Sequence, residues 1–207
     1  RGHNAYDFGI PSNDYGLNRP FMSTANPLAA NQYDVLENGG DQLNATFTAD
    51  VNITSFLKAN VTSTVNWGQT NYSNYSNPFY GSKVGVNGEI NKQSTSALRT
   101  NNVQTLTYFQ DFDRHSVNVM VGHEYYKTTT KFLGAIAQGG FSPSIPEIDA
   151  FAKISDASSY KSGYNVEGYF GSAQYNYDQR YFASASFRRD ASSYFAKENR
   201  WGNFWSV

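Results

Sequence analysis

The sequence predicts an all-β fold in which antiparallel strands follow one another up and down. Segments of about ten residues alternate between apolar and polar side chains, which is the period of a strand with one apolar and one polar face. The connections between these segments alternate between short turns and long excursions. This combination is typical of part of a large outer-membrane β-barrel, with short periplasmic turns and long extracellular loops.

The composition excludes several other classes. The 207 residues carry 16 Lys and Arg against 17 Asp and Glu, so the chain lacks the basic field that holds nucleic acid. No apolar run approaches the roughly 18 residues of a membrane-spanning helix. Strands that expose only alternate residues to lipid need no such run. The absence of cysteine excludes disulfides and thiolate metal sites.

The first 41 residues differ from the rest of the chain. They are rich in Asn, Gly, Pro and Asp and show no period of two, so we expect residues 1–41 to form an extracellular loop region. Residues 42–207 are expected to form a partial transmembrane β-barrel. In the first hairpin of this part, residues 42–52 and 57–67 alternate on either side of a short turn around Ile53.

Two further hairpins follow the first. Residues 95–110 and 116–132 pair around a turn at residues 111–115, and residues 169–177 and 181–187 pair around a turn at residues 178–180. The predicted long connections cover about residues 68–93, 134–164 and 191–203, and they are rich in polar residues and glycine. Residues 204–207 then begin another strand. The sequence therefore predicts six strands and the start of a seventh.

This number of strands does not close a barrel. Single-chain barrels begin at about eight strands, and each unpaired backbone group in hydrocarbon costs several kcal/mol. We therefore expect the chain to be part of a larger wall. The alternative is a secreted, soluble β-sheet domain with a binding or adhesion function and one solvated face.

The third hairpin and its flanks resemble a known family. The segments 167–171, 175–178, 181–193 and 199–207 closely resemble SusC-type TonB-dependent outer-membrane receptors, and Gly122-His123-Glu124-Tyr125 is similar to the barrel of the same family. The resemblance is specific over residues 165–207, looser over 42–133 and absent before that. It implies a fragment of the barrel of such a receptor.

The resemblance also implies a function and a set of partners. The parent would import oligosaccharides or peptides through the outer membrane of a Gram-negative bacterium, together with a SusD-like surface lipoprotein. The TonB complex would supply energy through parts missing from this chain, because no plug domain is expected within it. The rest of the barrel and the lipid bilayer would be its other neighbours. No enzyme activity, cofactor or nucleic-acid partner is implied.

Four aromatic residues are weak candidates for ligand contact: Tyr72, Tyr75, Phe79 and Tyr80. They cluster among Asn and Ser in the first predicted long connection, a composition suited to stacking on sugar rings while bonding hydroxyl groups. The favoured alternative is that they pack the loops together.

The third hairpin contributes two further sets of candidates. Arg188, Arg189 and Asp190 stand where a strand meets an exterior loop and are expected to form a structural charge cluster. By alternation, Arg188 and Asp190 share the polar face while Arg189 continues the apolar row. Tyr177 and Tyr181 flank a short turn and are expected to be membrane-interface aromatics.

Catalytic and metal sites are not expected. His115 and His123 lie about 27 Å apart along one extended segment and cannot share an ion. The acidic pairs Asp111 with Asp113 and Glu147 with Asp149 fall in a turn and a loop, and solvated turn residues are the better interpretation.

Overall fold

The structure is a computed structural model that describes residues 31, 33–79 and 81–207. The described residues form strands and three short 3₁₀ turns, at Val84–Val86, Ile148–Ala150 and Lys197–Asn199. Among them, no helix is long and apolar enough to cross a membrane. The strands are β1 (Val35–Asn52), β2 (Leu57–Ser76), β3 (Glu89–Phe112), β4 (His115–Gly140), β5 (Phe151–Tyr177), β6 (Tyr181–Ser192) and β7 (Trp201–Ser206).

Within the described part of the chain, these strands make one sheet in sequence order, from β1 to β7. The pairs β5–β6 and β6–β7 are antiparallel, and Tyr177 pairs with Tyr181 beside the turn that joins β5 to β6. Asp178 and Gln179 both have positive φ, at 53° and 55°. Two consecutive residues of this kind give a turn whose twist matches that of paired strands. The predicted all-β, up-and-down fold is confirmed.

The strands are longer than predicted. β1 begins at Val35, inside the segment that was expected to be a loop up to residue 41, and the absent side chain of Gly40 lets the Gln69 carbonyl oxygen approach closely. β5 begins at Phe151, whereas a connection was predicted up to about residue 164. All of residues 152–163 are exposed, so no buried apolar row marks this part of the strand. The observed connections shrink to residues 77–88, 141–150 and 193–200.

The chain divides into two compact units. The turn-end unit contains Gln42–Gly68, Ala97–Thr130 and Ser162–Val207, and it includes the short turns after β1, β3 and β5. Its strands are held by backbone pairing and by side-chain bonds across neighbouring strands, such as Thr46 with Thr64 at 3.2 Å. Val121 and Phe187 remain about half exposed.

The loop-end unit contains Gln69–Ser96, Lys131–Lys161 and the described residues up to Asp41. Its core consists of Tyr75, Ile90, Ala137 and Phe151, all buried, with Ile148 and Ala150 packed against them. The Tyr75 and Phe151 rings meet edge to face at 6.2 Å. The connection between β4 and β5 thus returns to cover the strand ends.

Candidate functional site

The turn-end unit presents two chemically different faces on β4, β5 and β6. On one face, Ala173 pairs with Ala185 across β5 and β6, and both line a shallow groove of about 440 Å³ together with Val121 and Phe187. The neighbouring positions along each strand point to the opposite face. There, polar side chains line a cleft of about 380 Å³, namely Ser116, Asn118, Gln174, Asn176 and Ser184. We call these the apolar face and the polar face.

A charge cluster stands on the polar face. The Arg188 Nε atom donates to both carboxylate oxygens of Asp190 at 2.8 Å, and its Nη2 atom donates to Glu124 Oε2 at 2.7 Å. Asn101 donates to the other oxygen of Glu124 at 3.1 Å. Each charged group has an opposite charge in contact, and the cluster joins β3, β4 and β6.

Two glycines make room for this cluster. A Cβ atom at Gly122 would collide with the Phe170 ring, and one at Gly168 would collide with the Asp190 carboxylate. The Phe170 ring therefore occupies the space that a side chain at position 122 would fill. The Arg188 guanidinium is 5.3 Å from the centre of the Phe170 ring, within the range of a cation–π contact.

Arg189 does not join the charge cluster. It pairs with Asn203 across β6 and β7, and its guanidinium lies 4.9 Å from the Trp201 ring. Alternation puts it on the apolar face with Phe187, two residues away. Alternation in the sequence predicted different faces for Arg188 and Arg189, but it did not identify Glu124 and Asn101 as members of the cluster. Glu124 could have been found, because it continues the polar row of Asn118.

The short turn between β5 and β6 carries stacked aromatic rings. The centres of Tyr177 and Tyr181 are 6.4 Å apart with an angle of 28° between the ring planes. His115 adds a third ring, 4.9 Å from Tyr177, and its Nδ1 atom lies 2.6 Å from the Tyr175 hydroxyl. These residues form an aromatic row at the turn end of β4, β5 and β6.

The three aromatic candidates that the structure describes, Tyr72, Tyr75 and Phe79, do not share one site. Tyr72 lies within β2, is half-buried and lines a cavity of about 940 Å³ with Asn71, Ser73 and Lys92. Tyr75 is only 3% exposed and belongs to the core.

Of the other two candidates, the structure describes Phe79. Phe79 is partly exposed and meets the Tyr33 ring at 5.9 Å. Tyr80 lies outside the described residues.

A polar network fixes the first connection of the loop-end unit. Lys83 forms an ion pair with Glu89 at 2.6 Å, and Gln138 donates to the same carboxylate at 2.7 Å. Partial burial opposes ionisation of Glu89, but the two hydrogen bonds and the Lys83 charge outweigh it and lower the pKa of Glu89. The network ties the connection between β2 and β3 to β4.

The described residues contain no group of three or more His, Cys, Asp or Glu side chains that could hold a metal ion. His115 and His123 contact different partners. Asp113 lies in the turn after β3 with φ at 51°, and Glu147 pairs with Lys92 at 2.5 Å. These carboxylates thus have structural partners or turn positions.

The sequence is similar to that of a TonB-dependent receptor, P3, from Formosa agariphila. The two share 26% identity over 204 residues, which cover 97% of this chain and 20% of the relative. No family model matches the sequence.

The structure is similar to two solved structures of the RagAB system. A chain of the RagAB peptide transporter matches with a TM-score of 0.79 and 21% identity, over 87% of this chain and 20% of that one. The RagAB peptide importer in its open-open state matches with a TM-score of 0.78 and 20% identity, over the same shares. This chain thus spans about a fifth of the proteins that it matches.

Proposed function

We propose that this chain, a segment of the barrel of a SusC-type TonB-dependent receptor, forms part of the wall of an outer-membrane transporter. The observation that carries the proposal is the pair of faces on β4 to β6. Apolar side chains stay exposed on one face, while the other carries polar side chains and the ion-paired cluster of Arg188, Asp190 and Glu124. A barrel wall needs this arrangement, because it meets acyl chains outside and a polar lumen inside.

The orientation follows from the connections. The short turns and the stacked Tyr177 and Tyr181 would face the periplasm, where aromatic rings anchor a barrel at the membrane interface. The loop-end unit would then face the exterior of a Gram-negative cell. Its own buried core suits an aqueous position.

The transported substrate would be an oligosaccharide or a peptide. The relatives named above are a receptor and a peptide transporter, not enzymes. Tyr72 and Phe79 remain candidates for contact with the substrate or with another loop, whereas the burial of Tyr75 supports a role in packing. A SusD-like lipoprotein over the loop end and the TonB complex on the periplasmic side would complete the transporter.

Fractionation and uptake test this proposal on the full-length protein that contains the chain. The protein should sediment with the outer membrane and need detergent for extraction. Deleting it should abolish uptake of one class of labelled oligosaccharides or peptides, and collapse of the proton gradient should have the same effect. Release of the intact protein into buffer would contradict the proposal and favour a secreted adhesion domain.

A further inference from the structure

The apolar face of the turn-end unit is interrupted at one level by polar side chains that bond to one another. His123 on β4 contacts Gln104 through Nδ1 at 3.0 Å and Glu167 through Nε2 at 3.2 Å. The Tyr169 hydroxyl donates to Glu167 at 2.8 Å. By alternation these residues share the face of Val121. Polar groups thus stand in a row that is otherwise apolar.

Aromatic stacking continues this level across β6 and β7. The Tyr169 ring lies 4.8 Å from His123 and 6.1 Å from Trp201, and the Arg189 guanidinium lies over Trp201. We define these six residues as the outward belt: Gln104, His123, Glu167, Tyr169, Arg189 and Trp201.

The position of the outward belt fits the boundary of a hydrocarbon layer. Tyr169 and Tyr177 lie eight positions apart on β5. At about 3.3 Å per residue and a strand tilt of about 40°, this corresponds to roughly 20 Å along the membrane normal. The apolar band of such barrels is about 25 Å tall. Between the two levels the same face carries Ala173, Ala185 and Phe187.

Burial in acyl chains would be costly for the outward belt. The side chains of His123 and Glu167 are 34% and 39% exposed. His123 and Tyr169 both contact Oε1 of Glu167, so the second carboxylate oxygen needs water or a headgroup. Interfaces of this kind favour amphipathic rings such as those of Tyr169 and Trp201. The belt therefore lies at the level of lipid headgroups if the sheet spans the membrane as proposed above.

Arg189 is the cation of the belt that lacks a counter-charge. It is exposed, and the ion pairs and hydrogen bonds of the described residues do not include it. This contrasts with Arg188, which contacts two carboxylates. The Arg189 guanidinium carbon lies over the Trp201 ring, 4.9 Å from its centre. Its N–H edge is left for an acceptor, and a planar guanidinium suits the paired oxygens of a phosphate.

We infer that the outward belt is a lipid-binding surface in which Arg189, supported by Trp201, binds a phosphate group of an outer-leaflet lipid. The inference rests on the proposed barrel, because the apolar face must meet lipid. It adds a ligand and a residue to that barrel. Glu167 is held by His123 and Tyr169, so its charge is already engaged.

Lipid retention by the purified full-length protein tests the inference. The variant Arg189→Gln should retain about tenfold less phosphorylated lipid through a detergent wash than the wild type, measured as lipid phosphorus and by mass spectrometry. Lipid retention by Arg189→Lys should lie between these two values, because lysine keeps the positive charge but not the planar pair of N–H donors. The matched control is Arg180→Gln, an exposed arginine in the turn after β5, which should retain lipid as the wild type does.

A second measurement needs no variant. The wild-type protein should retain the same lipid poorly after its phosphates have been removed enzymatically, and excess inorganic phosphate should not displace the intact lipid. Equal retention by Arg189→Gln and wild type, or by dephosphorylated lipid, would overturn the inference. Displacement by inorganic phosphate would assign the site to a free anion and also overturn it. Membrane fractionation in the same preparation tests the barrel proposal separately.

Discussion

The two units of this chain treat apolar side chains in opposite ways. The loop-end unit buries Ile90, Ala137 and Phe151 in a small core, and every buried apolar side chain of the described residues lies in that unit. The turn-end unit leaves Val121 and Trp205 exposed, at 53% and 76%. The loop-end unit also exposes some apolar residues, such as Phe141, but it has the core that the other unit lacks.

This difference in burial indicates that the two units need different surroundings. Burial of apolar surface stabilises a fold in water, so a unit without a core must find an apolar medium elsewhere. Large exposed apolar patches mark membrane or protein interfaces. In the barrel proposed above, the turn-end unit would obtain this medium from acyl chains, whereas the loop-end unit carries its own apolar interior and suits water.

The largest expected effect concerns the core of the loop-end unit. Phe151→Ala should destabilise this unit by about 3–5 kcal/mol, because it removes a buried ring and leaves a cavity beside Tyr75. Hydrogen exchange of the β3 and β4 amides in the full-length protein measures the loss. Phe141→Ala, at a 75% exposed position of the same unit, is the control and should change little. Equal effects of the two variants would show that the core does not hold the unit.

The second prediction tests whether the apolar face of the turn-end unit meets lipid. Val119→Lys, Ala173→Lys and Ala185→Lys should each weaken assembly of the full-length barrel by about 2–4 kcal/mol at mid-bilayer, because a charge would enter hydrocarbon. Unfolding of the protein by denaturant in lipid vesicles measures this loss of stability.

The controls for these lysine variants lie on the other face and in the other unit. Asn118→Lys and Ser184→Lys keep the charge on the polar face and should be tolerated. Leu133→Lys, at a 64% exposed position of the loop-end unit, should be tolerated as well. Equal cost on both faces would refute the assignment of the turn-end unit to lipid.

The contrast between the units also explains what the sequence could predict. Alternation identified the strands of the turn-end unit and the turns at Asp113 and Asp178, because one face of these strands is apolar and the other polar. It failed for residues 152–163, because polar residues on both faces leave no period of two. Backbone pairing continues in such a strand without any sequence signal.

The candidate residues show the same limit. Alternation predicts opposite faces for Arg188 and Arg189, because this expectation needs only the local geometry of a strand. Tyr75 looked equivalent to Tyr72 in sequence, but its burial depends on Phe151, 76 positions away. The outward belt needs contacts between β3, β4 and β5, and single breaks in an apolar row such as His123 do not reveal them.

The smallest expected effect is a pH dependence confined to the loop-end unit. The folded pKa of Glu89 is lowered, so its contribution is complete above the unfolded value and is lost as the pH falls through the folded value. Glu89→Gln should therefore cost about 1 kcal/mol at neutral pH and nothing in strong acid, as measured by hydrogen exchange at several pH values. Glu147→Gln removes a carboxylate that is 62% exposed in its ion pair with Lys92, and should cost less at neutral pH. A pH-independent cost for Glu89→Gln would mean that the shape of the Glu89 side chain, and not its charge, holds the connection between β2 and β3.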